Sequence, residues 1–198
     1  MRNDTDPEAR IIERCKEYKT SFSYDDLYEI GSLATWSLSS WKPGNDLENL
    51  RDDELSTYWQ SDGTQPHLVN IQFSRKVFVS QISLQIDHKQ DESYTPSKIT
   101  IRAGTNFADL QDLRTLELSE PTGWIDIQLS PDLMKNRPIG AHLFQICIKS
   151  NHQNGKDTRI RQIKVFAPKL RSVVQDDLDS DDEMPSRTIE FQMHATVR

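Results

Sequence analysis

Hydrophobic and polar residues alternate with a period of two along most of the middle of the chain. In 67–73, Val69, Ile71 and Phe73 fall on one face, and Asn70 and Gln72 fall on the other. Because successive side chains of a strand point to opposite faces, this pattern is typical of a half-buried β-strand. The same alternation recurs in five further runs, at 80–87, 97–104, 124–129, 141–150 and 160–168.

Turn-forming residues separate these runs, as at Lys42-Pro43-Gly44, Ser61-Asp62-Gly63 and Asn154-Gly155. No helical stretch recurs between the strands, which excludes a parallel βαβ architecture. The pattern therefore predicts an all-β chain folded as an antiparallel β-sandwich or jelly roll. A mixed-charge, weakly amphipathic segment at 8–19 predicts one short N-terminal helix.

The two ends of the chain differ from the middle in composition. The formal net charge of -7 comes mainly from 1–29 and 169–198, which contribute -3 each, whereas 30–168 contributes only -1. The segment 175–183 has six acids in nine residues and predicts a disordered linker, since such a segment cannot bury a core. Hydrophobic alternation returns in 188–198, which fits either a docking peptide beyond a flexible tether or a last strand of the sandwich.

These contrasts divide the chain into an N-terminal arm at 1–27, a β-sandwich domain at 28–168 and a C-terminal linker and tail at 169–198. A nearly neutral central domain with acidic flanks argues against nucleic acid as a partner, because phosphate binding needs a basic face. No apolar run has the length of a membrane span or of a secretory signal. Cys15 and Cys147 are expected to be two reduced thiols, as in a cytosolic or nuclear protein.

Sequence motifs of catalysis are absent. The chain contains no nucleophile elbow, phosphate-binding loop, dinucleotide fingerprint or zinc-protease motif, and its histidines are scattered without metal-ligand spacing. The sequence therefore predicts a non-enzymatic binding module with no cofactor and no metal ion. Trp36 and Trp59 are expected to fill the core near a sandwich edge, with a sugar-stacking platform as the alternative.

Two long polar stretches, 87–98 and 149–162, each lie where a strand is predicted to end. Both contain a high density of hydrogen-bond donors and acceptors, which is typical of functional loops presented by a rigid scaffold. Simple solvated hairpin loops would have a similar composition, and Asn154-Gly155 is a common turn sequence. Composition alone leaves the two interpretations open.

Three segments resemble a known family: 50–73, 91–99 and 151–166. They are similar, in the same order, to the DOC domain found in the DOC-type subunit of the anaphase-promoting complex, a multi-subunit ubiquitin ligase. The resemblance covers about 28–168 and the C-terminal end. It implies a galactose-binding-like jelly-roll β-sandwich, in agreement with the period-two pattern.

The family's loop end helps to form a receptor for the destruction box of ligase substrates, together with a WD40 co-activator. The resemblance therefore implies degron-binding residues in both polar stretches. They are Asp91, Glu92, Ser93, Tyr94, Asn151, His152, Gln153, Asn154, Asp157 and Arg161. The destruction box is built around an Arg and a Leu, for which acidic and amide groups are chemically suitable partners.

The family also ends in Ile-Arg, a dipeptide that docks into a TPR scaffold subunit. This chain ends in Val197-Arg198, which keeps a β-branched side chain and loses one methylene, worth about 1 kcal/mol if buried. The resemblance thus implies Val197 and Arg198 as scaffold-docking residues.

The function expected from the sequence is that of a non-catalytic subunit of the anaphase-promoting complex in mitotic cell-cycle control. The subunit would raise the affinity for destruction-box substrates, such as cyclins and securin, and the processivity of their ubiquitination. Its expected location is the nucleus and cytoplasm, with no nucleic acid or membrane partner. The alternative is a carbohydrate-binding module, because the same sandwich also binds sugars.

Overall fold

The alternating runs of the sequence form the strands of a two-layer sandwich. A computed structural model of the chain describes the backbone of residues 12–14 and, with their side chains, residues 27–130 and 137–169. The strands are β1 (Ile12–Arg14), β2 (Leu27–Glu29), β3 (Ala34–Leu38), β4 (Trp59–Gln60), β5 (His67–Val79), β6 (Gln81–Asp87), β7 (Pro96–Gly104), β8 (Gln111–Glu117), β9 (Thr122–Gln128), β10 (Ile139–Asn151), β11 (Arg159–Ile160) and β12 (Gln162–Pro168). Two short helices, α1 (Leu47–Arg51) and α2 (His88–Asp91), interrupt them.

One layer is a six-stranded sheet with the strand order β1-β8-β7-β10-β5-β3, and the other is a four-stranded sheet with the order β2-β12-β6-β9. Strands β4 and β11 form a separate antiparallel pair. All pairings are antiparallel except that of β1 with β8. The predicted all-β sandwich is therefore confirmed.

The core lies between the two sheets and is formed by the apolar sets that the alternation predicted. Val69 and Ile71 of β5 are completely buried, as are Ile82, Leu84 and Ile86 of β6. Complete burial of each such side chain stabilises the fold by about 1.5–3 kcal/mol. This continuous core gives the sandwich a rigid frame from which its loops project.

The two tryptophans assigned to the core differ in burial. Trp59 is fully buried, and its Nε1 donates a hydrogen bond to the carbonyl oxygen of Ser40 at 3.0 Å. Trp36 is half-buried on β3, packs against the core and donates to the carbonyl oxygen of Gly31 at 2.8 Å. Core packing is thus confirmed, with both indole N–H groups paired as burial requires.

The N-terminal prediction of a helix over 8–19 is wrong for the part of that segment that the structure describes. Ile12–Arg14 form β1, which pairs in parallel with Thr115–Glu117 of β8. A strand at the edge of a sheet has unpaired backbone groups, and β1 supplies partners for those of β8. The β-branched Ile12 also suits a strand. The other residues of the predicted helix and the whole C-terminal segment 170–198 lie outside the described residues.

Helix α1 positions the segment that leads to Tyr58. Its N-cap Asp46 accepts a hydrogen bond from the backbone N–H of Glu48, and Asn49 completes a capping box. Leu50 anchors the helix in the core with no exposed surface. Within the described residues, no helix is long and apolar enough to cross a membrane.

Candidate functional site

The two polar stretches meet at one end of the sandwich. Residues 88–95, termed loop 1, connect β6 to β7, and residues 152–158, termed loop 2, connect β10 to β11. Since β7 and β10 are antiparallel neighbours, with Asn151 opposite Pro96, the two loops leave the sheet side by side. The backbone N–H of His152 donates to the carbonyl oxygen of Thr95 at 2.9 Å. We call this end of the molecule the loop end.

Gly155 allows loops 1 and 2 to approach closely. A Cβ atom at this position would lie 1.8 Å from the carbonyl oxygen of Ser93, far inside van der Waals contact. Thr158 adds a second link, because its Oγ1 donates to the carbonyl oxygen of Tyr94 at 3.3 Å. The loops therefore form one packed unit and not two independent hairpins.

A buried ion network lies beneath the loops. The Asp91 carboxylate is 2% exposed and accepts hydrogen bonds from Nη2 of Arg161 at 3.0 and 3.1 Å. Nη1 of Arg159 lies 3.5 Å from the same carboxylate. Arg161 is itself buried, and its Nη1 donates to the carbonyl oxygen of Leu55 at 2.8 Å. Charges at this depth are tolerated only when paired and hydrogen-bonded.

Three of the ten residues assigned to degron binding thus lie under the site and not on its surface. Asp91 and Arg161 neutralise each other, and Asn151, only 6% exposed, donates from Nδ2 to the carbonyl oxygen of Asp157 at 2.6 Å. The Asp91–Arg161 pair joins segments that are distant along the chain, and Asn151 links the end of β10 to loop 2. Their structural contribution is to hold the loops in one geometry.

The remaining assigned residues form the surface of the loop end. Glu92, Gln153 and Asn154, termed the rim, are exposed, and four others are half-buried: Ser93, Tyr94, His152 and Asp157. The three rim residues have positive φ angles of 42°, 51° and 56°, respectively. Non-glycine residues adopt this backbone region at an energetic cost, and such residues cluster at ligand-binding sites. The rim therefore presents an acid and two amides from a constrained backbone.

A stacked arginine, which the sequence analysis missed, adjoins loop 1. The Arg159 guanidinium carbon lies 4.0 Å from the ring centroid of Tyr94 and 4.4 Å from that of Tyr58. Nε of Arg159 donates to Oε1 of Gln60 at 3.0 Å, which fixes the guanidinium plane. The alternation Arg159-Ile160-Arg161 carries a signal for this arrangement, because it places two arginines on one face around a buried isoleucine.

Two histidines from different segments lie in contact at the loop end. The ring centroids of His88 and His152 are 4.7 Å apart, with the ring planes tilted by 57°. Among the described residues, Nδ1 of His88 and Nε2 of His152 are buried without a hydrogen-bond partner. Burial, followed by the neighbouring His88, lowers the pKa of His152 below its usual 6.5. His152 is therefore neutral at physiological pH.

The fold matches that of known β-sandwich domains. The structure superimposes on a family 32 carbohydrate-binding module of Clostridium perfringens NanJ, solved with galactose, with a TM-score of 0.57 and 16% identity. That match covers 69% of this chain and 96% of the module. A structure of two such domains from C. perfringens ZmpB gives a TM-score of 0.61 and 12% identity over 73% of this chain and 37% of that one. The expected galactose-binding-like jelly roll is confirmed.

Comparison with known sequences identifies the family of the chain, which the structural matches do not. The family model described as anaphase-promoting complex, subunit 10 (APC10), matches residues 4–195. The human anaphase-promoting complex subunit 10 is 51% identical over 171 residues, 86% of this chain and 88% of its own length. The Schizosaccharomyces pombe subunit 10 is 40% identical over 87% of this chain and 89% of its length. The chain belongs to the family of anaphase-promoting complex subunit 10.

Membership in this family makes the chain a subunit of a complex with ubiquitin ligase activity, whose other subunits are its partners. The scaffold-docking residues Val197 and Arg198 lie outside the described residues, so their role stays a prediction. The domain bounds at 27 and 168 also stay predictions.

Proposed function

We propose that this chain is the non-catalytic substrate-recognition subunit of its ubiquitin ligase complex. Its loop end forms one wall of a destruction-box receptor whose other wall is a WD40 co-activator. The observation that carries the proposal is the rim. Glu92, Gln153 and Asn154 are exposed and have strained backbone angles, and a buried ion network lies beneath them. A surface of this kind offers fixed acceptors and donors to a peptide.

The chemistry of the rim suits the degron. The carboxylate of Glu92 can pair with the guanidinium of a destruction-box arginine, and charge-assisted hydrogen bonds are the stronger kind. The amides of Gln153 and Asn154 can each donate and accept, which matches the backbone of an extended peptide. Because loops 1 and 2 are held together beneath the rim, little conformational entropy is lost when the peptide binds.

The proposed mechanism is an increase in substrate residence time. A peptide held between two walls needs only weak contacts on each, since the second contact is intramolecular. Stronger contacts act mainly on the dissociation rate. A slower dissociation allows more ubiquitin transfers in one encounter, while the transfer reaction belongs to other subunits.

Assembly and location complete the proposal. Val197 and Arg198 dock the chain to a TPR scaffold subunit, and the complex acts on cyclins and securin in the nucleus and cytoplasm. The acidic segment 175–183, whose composition predicts a linker, separates the sandwich from the docking dipeptide along the chain. The carbohydrate-binding alternative has the fold in its favour and nothing more, because distant structural likeness does not define a ligand.

A photo-crosslinking experiment tests the proposal. A crosslinking amino acid replaces Gln153 in the assembled complex, and a labelled destruction-box peptide is added with the co-activator. We expect a crosslink that an excess of unlabelled peptide abolishes. Placing the crosslinker at exposed Arg75, in the half of strand β5 that is far from the loop end, is the matched control and should give none. Equal labelling from both positions, or none from position 153, would contradict the proposal.

A further inference from the structure

The ion network beneath the loops carries an excess positive charge. Two guanidinium groups, of Arg159 and Arg161, face the single carboxylate of Asp91. Arg161 makes both short contacts with that carboxylate and is 6% exposed at its side chain. Arg159 is left with the longer 3.5 Å contact, and its side chain is 21% exposed. The charges of Asp91 and Arg161 therefore cancel each other in the interior, and Arg159 is the more exposed cation of the network.

The position of Arg159 is fixed on three sides. Tyr58 and Tyr94 stack on its guanidinium at 4.4 and 4.0 Å, and Gln60 accepts from its Nε at 3.0 Å. We call this group the arginine clamp. Stacking on two aromatic rings holds the planar guanidinium while leaving its edge free to donate. A pre-positioned guanidinium loses little side-chain entropy on binding a ligand.

The acidic side chains near the clamp do not neutralise it. Glu92 and Asp157 lie on loops 1 and 2, but no ion pair joins either of them to Arg159 within 27–130 and 137–169. Lys156 of loop 2 is exposed and adds a second positive charge to the same surface. The loop end thus offers an acidic rim residue and, beside it, a guanidinium that shares the Asp91 carboxylate with Arg161.

We propose that the arginine clamp binds a carboxylate side chain, Asp or Glu, of the peptide held at the loop end. A guanidinium is the group whose paired N–H donors match the two oxygens of a carboxylate. The inference rests on the proposed function, because it names a second determinant of the same peptide. A degron that fits this site has one basic residue for Glu92 and one acidic residue for Arg159.

The test is a series of paired destruction-box peptides, and the two peptides of each pair differ only by a carboxylate or an amide at one position. At each position except the Arg and the Leu, one peptide carries Glu and its partner carries the isosteric Gln. Binding is measured with the assembled complex and co-activator. We expect one position at which Glu binds about tenfold more tightly than Gln, a difference that corresponds to about 1.4 kcal/mol.

The variant Arg159→Gln tests whether Arg159 is the cation that causes the preference for Glu. It keeps a planar hydrogen-bonding side chain and leaves Asp91 paired with Arg161, and a thermal melt checks that it folds. The preference for Glu at that position should disappear in this variant. Arg159→Lys, which keeps the charge without the planar fork, should retain part of the preference and covers the case in which Arg159→Gln fails to fold.

The outcomes separate the inference from the function on which it rests. If the wild-type complex binds every Glu and Gln pair equally, while the rim is still needed for binding, the arginine clamp is not a carboxylate site. If the Glu preference persists unchanged in Arg159→Gln, another cation is responsible and the inference is also overturned. If removal of the rim side chains leaves peptide binding unchanged, the proposed function itself fails.

Discussion

The two ends of the sandwich differ in how they present their surface. The loop end is polar, and its exposed groups stand on buried charges that are paired with one another. The opposite end has a cleft of about 520 Å³ between the far ends of β5 and β12. Its apolar walls include three exposed side chains: Tyr28 at 48%, Leu33 at 61% and Phe78 at 55%.

Under the proposed function, the apolar cleft at the opposite end is not the recognition site. Apolar walls stabilise a ligand through a non-directional effect, whereas hydrogen-bonding groups fix its orientation and provide specificity. The loop end has several donors and acceptors in fixed positions. The following predictions test the contrast between these ends, beginning with the largest expected effect.

Removal of the central carboxylate should unfold the loop end. Asp91→Ala leaves the Arg161 guanidinium buried without its charge partner. Breaking a buried pair in this way costs about 3–5 kcal/mol. Urea denaturation should show that loss in the free energy of unfolding. Glu92→Gln, one residue away but exposed, is the control and should stay within about 0.5 kcal/mol of wild type. Similar losses in the two variants would mean that the ion network does not support the loops.

Replacing a glycine by alanine should lower the stability more at the loop end than at the opposite end. Gly155→Ala inserts a methyl group where the rigid backbone carbonyl of Ser93 lies, and overpacking of this kind costs about 1–3 kcal/mol. Gly140→Ala, at the opposite end, meets the flexible side chains of Lys76 and Phe78 and should cost less. Thermal melts of both variants check this order. A larger loss for Gly140→Ala would contradict the close packing of loops 1 and 2.

Acidification should weaken the loop end through His152. Its pKa is lowered by burial and then by His88, so between the folded and unfolded values the unfolded chain binds more protons. Stability is therefore complete above about pH 6.5, the unfolded value, and declines as the pH falls through the folded value. His152→Gln should reduce this decline in denaturation curves measured from pH 7.5 to pH 5. An unchanged pH profile in the variant would place the titrating group elsewhere.

The smallest effect is expected at the opposite end. Phe78→Ser removes an exposed aromatic ring from the cleft wall and should change the free energy of unfolding by less than about 0.5 kcal/mol. Destruction-box peptide affinity in the assembled complex should equal that of wild type. A loss of peptide binding in this variant would show that recognition is not confined to the loop end.

The sequence predicts the sheets better than the site for a physical reason. Burial of Val69, Ile71 and Phe73 depends on a local period of two, so it is visible in a single run. The pairing of Asp91 with Arg161 joins residues 70 positions apart, and nothing local distinguishes a buried Asp from an exposed one. Both polar stretches do follow predicted strands, but Asp91, Asn151 and Arg161, which the resemblance assigns to degron binding, are buried.

The N-terminal segment also shows that a local sequence pattern cannot predict contacts between distant segments. Its local composition fits a weak helix, but Ile12–Arg14 pair with β8. Backbone pairing with a distant edge outweighs a weak local propensity. The stacking of Arg159 between Tyr58 and Tyr94 likewise depends on three segments that meet only in the folded chain.

Single-encounter ubiquitination measures whether the rim recognises the degron. The triple variant Glu92→Gly, Gln153→Gly and Asn154→Gly removes the three side chains, and glycine adopts the positive φ angles of these positions without strain. Asp53→Gly, an exposed acid with a φ of 63°, is the matched control. Both are assembled into the complex with co-activator, and ubiquitins added per encounter are counted.

We expect shorter ubiquitin chains on destruction-box substrates with the triple variant, since faster dissociation leaves less time for successive transfers. The control variant should match wild type, and a substrate without a destruction box should be modified equally by all three complexes. Equal chain lengths on destruction-box substrates from the triple variant and wild type would contradict the account.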